Sequence, residues 1–145
     1  MYIGTLVDDV QKVVDNLRSK YGDFTLAMLY NSGGLIAPSS WNLIVSAPWA
    51  DEMGRFEATH LIAQVLHDEM DSENQIAISR VTVLRTDDPF VRDMNFLYPV
   101  APGSAGVPVP QVTAGDITEG GGFVLYSRRV QPEQLVPQTP PKTAR

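Results

Sequence analysis

The stretch Trp41–Leu61, WNLIVSAPWADEMGRFEATHL, changes its period halfway along. Its first residues are apolar and β-prone, and Pro48 then removes a backbone donor and ends strand pairing. Beyond it, Phe56, Thr59, Ile62, Ala63, Leu66 and Met70 fall on one side at about 100° per residue. The reading is a strand over 41–47 that feeds a helix over 51–70. Such a helix needs a sheet against which to bury its apolar side, so the fold is read outward from this junction.

Upstream, Leu6, Val7, Val10, Val13, Val14, Leu17 and Tyr21 recur at helical spacing and predict an amphipathic first helix. Thr5 suits its N-cap, with Asp8 three residues on, and Gly22 suits its stop. FTLAMLY, 24–30, is apolar on both alternating faces, as a central strand is. Asn31, Ser32, Gly33 and Gly34 supply turn chemistry, so the strands on either side are expected to pair antiparallel.

Downstream, IAISRVTVLR from Ile76 reads as a third strand. Asp88 followed by Pro89 reads as the start of a short helix ending near Phe96. Pro99, Pro102, Pro108 and Pro110 mark 97–110 as a loop that cannot be a central strand. QVTAGDIT and FVLYSRRV flank EGGG and predict a C-terminal hairpin. The order α-β-β-α-β-α-β-β describes an α+β fold, with mixed α/β as the alternative. Two main helices and one short helix would pack on a mixed sheet of about five strands. Residues 1–130 form one expected domain, and the proline-rich 131–145 is expected to be a mobile tail.

With 145 residues, 43% hydrophobic and 19% charged, the chain can bury a real core. It has no cysteine, which excludes disulfides, thiolate zinc sites and cysteine catalysis. Asp8, Asp9, Gln11 and Lys12 interrupt the N-terminal apolar pattern, so no secretory signal is read there. No apolar run approaches the roughly 18 to 20 residues that span a bilayer. A cytoplasmic, prokaryotic protein without a membrane partner is the expectation. Net charge is −6; the segment from Gln131 holds one negative and two positive side chains, which leaves −7 on residues 1–130. That sign disfavours nonspecific nucleic-acid binding.

Several constellations carry candidate chemistry. On the second helix, Glu57, His60, Gln64, His67 and Asp71 share one sector, and Glu57 with His60 makes an E-x-x-H pair. His60, His67 and Asp71 are the candidate metal ligands, with Glu57, His60 and His67 as candidate acid–base groups. H-E-x-x-H is absent, and a metal shared by His60 and His67 would bridge about 10 Å between their backbones. The plainer reading is the solvated flank of an amphipathic helix. Asp87 and Asp88, with Asp93, form a carboxylate cluster that could hold Mg²⁺ beside Arg85 or Arg92. Asp88 is also explained as a helix cap.

Ser46 lies where hydrolase serines often lie, but its neighbours are Val45, Ala47 and Pro48 instead of the glycines of G-x-S-x-G. A hydroxyl that satisfies backbone groups at the turn is the alternative. Trp41 and Trp49 bracket the junction. They either fill the space between helix and sheet or, if exposed, anchor a partner protein. Arg80 and Arg85 point to opposite faces of the third strand, as Arg128 and Arg129 do on the last, so no basic stripe forms. NSGGL and EGGGF match neither a P-loop nor G-x-G-x-x-G, and no cofactor motif appears. The sequence therefore favours a non-enzymatic protein-interaction or adaptor domain that self-associates. The alternative is a metal-dependent hydrolase of the phosphoester class, working from the histidine flank or from Asp87 and Asp88.

Overall fold

The computed structural model describes residues 3–34, 40–101, 106–117 and 119–128. Arg129 and the tail expectation for 131–145 lie outside the described residues. The elements run α1 (Ile3–Tyr21), β1 (Leu26–Asn31), β2 (Trp41–Ser46), α2 (Pro48–Met53), α3 (Arg55–Glu69), α4 (Ser72–Ala77), β3 (Ile78–Val83), α5 (Pro89–Leu97), β4 (Val107–Val109) and β5 (Gly121–Ser127). The fold is α+β, on a five-stranded mixed sheet of order β3-β2-β1-β5-β4.

β1 lies at the centre and pairs antiparallel with β2 and β5. Its alternation is apolar on both faces, and Leu26, Ala27, Met28 and Leu29 are all fully buried. Burial of both faces demands cover on both sides. One face packs Ala27, Leu29, Leu43, Val45 and Leu125 against α1 and α3. The other packs Leu26, Met28, Ile44 and Val124 against Phe90, Val91 and Met94 of α5. Asn95 ties α5 to the sheet: its amide donates to Thr25 O at 2.9 Å and to Ser127 Oγ at 3.0 Å. β5 can approach β1 closely because Gly122 has no side chain; a Cβ there would collide with Leu29 O.

Four expectations need correction. The helix over 51–70 is two helices, α2 and α3, broken at Gly54, whose φ of 101° and ψ of 146° belong to backbone that only glycine adopts easily. The buried row of α3 is Ala58, Ile62 and Leu66, with Met70 at its C-cap, and Phe56 is 89% exposed instead of packed. A further helix, α4, precedes the third strand, which begins at Ile78 and leaves Ile76 outside it. The α1 helix already includes Thr5, so that residue is not its cap.

The fourth correction is the hairpin. QVTAGDIT forms only an isolated bridge, Ala114 with Ile117, and β5 pairs instead with β4 from the proline-rich stretch. β4 is an edge strand, where Pro108 costs no ladder bond on its open side. Two boundaries fall where the sequence puts them: Asp88 Oδ1 accepts from Phe90 N at 2.8 Å at the start of α5, and Gly22, just after α1, has a φ of 121°. By contrast, β1 starts at Leu26, and β5 takes in Gly121 and Gly122 of the expected turn.

Gly54→Ala tests the helix break. Nothing lies within 4 Å of the added methyl, so the whole cost is conformational. The expected loss is about 1–3 kcal/mol in denaturant unfolding. A loss below about 0.5 kcal/mol would mean that one continuous helix is accessible here.

Candidate functional site

The two groups of the hydrolase reading lie on opposite faces of the sheet. His60, His67 and Glu57 are exposed on α3, which packs on the α1 face. Asp88 starts α5 on the other face. Asp87 is paired with Arg85 at 3.2 Å on the surface, and Asp93 accepts from Gly115 N at 2.8 Å. Asp71 is exposed at the start of α4, where its backbone N–H donates to Asp9. Among the described residues, no three His, Asp or Glu side chains converge as metal ligands would. No described helix is long and apolar enough to cross a membrane.

Ser46 is fully buried, out of reach of any substrate. Its Oγ has no hydrogen-bond partner among the described residues, so the hydroxyl does not satisfy the turn either. Trp41 is 5% exposed and packs on Phe123, with ring centroids 5.9 Å apart. Trp49 is half-buried between Tyr21 and Phe24, at 5.3 and 5.5 Å, and its indole N–H donates to Gly22 O at 3.1 Å. Trp49 thus joins the end of α1 to the start of α2. Neither indole stands free as an anchor.

The structure points instead to two places that the sequence reading passed over. The first is the outer edge of β3. β3 runs parallel to β2 and has no other strand neighbour among the described residues. Leu84 N–H donates to Val45 O at 2.9 Å. Strand alternation then turns the N–H and C=O groups of Val81 and Val83 outward, away from β2. Thr59, Ala63, Leu66 and His67 of α3 flank this edge, with Ile78, Arg80 and Val81, around a groove of about 280 Å³. The α3 helix runs antiparallel to β3: Gly54 and Arg55 sit beside Val83, while His67 and Met70 sit beside Ile78. Two large apolar side chains stand at the ends of this assembly. Phe56 is 89% exposed at the Val83 end, and Ile76 is 83% exposed at the Ile78 end.

The second place is a polar row on the α5 face. Tyr30, Asn42 and Arg80 are cross-strand neighbours on β1, β2 and β3. The next row, Met28, Ile44 and Thr82, leads into the apolar cluster under α5. Tyr30 and Asn42 break the apolar alternation of their strands at one end of the sheet. They line a cleft of about 520 Å³ with Arg80, Thr82 and Ile117. The Tyr30 hydroxyl donates to Glu119 O at 2.8 Å. Burial, with Glu119 nearby as the lesser cause, pushes that phenol above its ordinary value.

Ser46→Ala removes a buried hydroxyl that has no partner, so stability should be unchanged or should rise by up to about 1 kcal/mol. A loss above about 1 kcal/mol would show that the hydroxyl is engaged. No family model, curated protein or solved structure matches the chain.

Proposed function

We propose that the chain is a non-enzymatic protein-interaction domain that self-associates through the outer edge of β3, in a prokaryotic cytoplasm. The observation that carries this reading is the contrast between the two edges of the sheet. β4 is three residues long, contains Pro108 and is followed by Pro110, which blunts it against further pairing. β3 is six residues long, has no proline, and carries a single charge, Arg80, which lines both the α5 cleft and the edge groove. An open strand of this kind is a template for another strand.

A second copy is the occupant that fits best, paired antiparallel about a two-fold axis. Six residues extend about 20 Å and a fifteen-residue helix extends about 22 Å, so α3 and β3 present matched lengths. A two-fold axis at the middle of β3 continues the sheet and sets the two α3 helices side by side. Ala63, near the middle of α3, then lies close to the axis, where a small side chain lets helices approach. Thr59 of each copy comes opposite His67 of the other.

The same operation carries Ile76 of one copy to the end of the edge where the other copy has Phe56. A parallel approach would set Ile76 against Ile76 and Phe56 against Phe56 at separate ends, and it is not the closed symmetry of a dimer. Arg55 stands at the Phe56 end and Glu73 at the Ile76 end, so the antiparallel approach also sets opposite charges together. The catalytic alternative has no such convergence behind it.

Sedimentation velocity on the full chain tests the proposal. The wild type should be dimeric at micromolar concentration. Phe56→Asp and Ile76→Lys should each weaken the dimer more than about tenfold, or about 1.4 kcal/mol. The doubly substituted chain should recover much of that loss, since Asp then faces Lys twice across the axis. A monomeric wild type, or two single variants as dimeric as the wild type, would overturn the reading.

A further inference from the structure

We propose that the cleft above the Tyr30–Asn42–Arg80 row binds a small monocarboxylate with a compact apolar body. This goes beyond self-association and does not depend on it, because the cleft opens on the α5 side of the sheet and its other polar donor, Asn42, lies on β2. Arg80 also lines the α3–β3 groove.

The cleft has one polar end and one apolar floor. At the polar end, Asn42 and Arg80 are direct cross-strand neighbours, within about 5 Å of each other along the sheet. Thr82 Oγ1 donates to Asn42 Oδ1 at 2.9 Å. That bond fixes the amide and leaves its Nδ2 as a donor without an acceptor among the described residues. Arg80 has no carboxylate within 4 Å among the described residues; the ion pairs there are Arg18 with Asp23 and Arg85 with Asp87. An amide N–H beside a guanidinium fork matches a carboxylate, which accepts several hydrogen bonds in one plane.

Ile44, Leu84, Phe90 and Ile117 supply the floor and far wall. Their presence beside a donor-rich end selects for a ligand that is anionic at one end and apolar at the other. The volume of about 520 Å³ falls in the range of small-molecule pockets. Two acidic side chains also line the cleft, Asp88 and Asp116. Asp88 Oδ1 is occupied by the N–H of Phe90 at the start of α5. Both repel a second negative charge, so a monoanion is preferred over a phosphate monoester, which carries close to two charges. The Tyr30 hydroxyl spends its proton on Glu119 O and serves as a wall.

Hexanoate, hexanol and hexyl phosphate are suitable probes, titrated into the full ¹⁵N-labelled chain. Hexanoate should bind saturably and shift the amides of Asn42, Arg80, Thr82 and Leu84. It should bind at least tenfold more tightly than hexanol and more tightly than hexyl phosphate. Arg80→Gln should lose that preference, with melting temperature unchanged because Arg80 is exposed and its backbone bonds remain. Arg80→Lys should retain part of it. The proposal fails if hexanoate binds no better than hexanol, if Arg80→Gln binds as the wild type does, or if the shifts fall in the α3–β3 groove. Preference for hexyl phosphate would overturn the monocarboxylate assignment.

Discussion

Burial of both faces of β1 over Leu26–Leu29 is the constraint on which the rest of this structure depends. A strand whose Leu26, Ala27, Met28 and Leu29 are all fully buried must have a neighbour on each edge and a layer on each face. β2 and β5 satisfy its backbone groups. The α1 and α3 helices cover one face and α5 the other. Those four sides are filled by elements from along the whole chain, and β3 and β4 are left to extend the sheet outward. Trp49 and Asn95 hold two of these elements in place, Trp49 at the α1–α2 joint and Asn95 between α5 and the sheet.

Putting β1 in the middle makes β3 and β4 the edges, and the chain treats them unequally. β4 is short and proline-bearing. β3 is delivered parallel to β2 by the long crossover through α2, α3 and α4, and its Val81 and Val83 backbone groups face outward. The helical cover also ends before the sheet does. On the α5 face, α5 reaches Leu26, Met28 and Ile44 but leaves the Tyr30, Asn42 and Arg80 row at the end of the sheet. An uncovered edge and an uncovered polar row are consequences of the same layout, one suited to backbone pairing and the other to a small anionic ligand.

Much of the fold was legible because its signals are local. The two-sided apolar run Leu26–Leu29, the Asp88–Pro89 helix start and the Gly22 stop each state their role within a few residues. What was not legible depends on neighbours distant in sequence. Gly54 inside a helical period reads as a tolerated glycine, and nothing local says that its φ is positive. Val107–Val109 reads as loop because proline excludes it from a sheet centre, and edge position is a property of the whole sheet. The site suffered in the same way. The histidines and aspartates drew attention by residue type, yet the sheet separates them. Tyr30, Asn42 and Arg80 are ordinary residues on three strands, and only strand register makes them neighbours. The signal available in the sequence was their parity: each falls on the face that its strand otherwise gives to the apolar α5 layer or its rim.

Amide hydrogen exchange at two protein concentrations tests the central claim, that the outer edge of β3 pairs with a second copy. In a monomer the outward N–H of Val81 faces solvent beside the α3 groove, whereas amides of β1 are bonded within the sheet. The account predicts that raising the concentration through the dimerisation range slows exchange at Val81 by more than about tenfold and leaves the relative order within β1 unchanged. Exchange at Val81 that is fast and independent of concentration would contradict it.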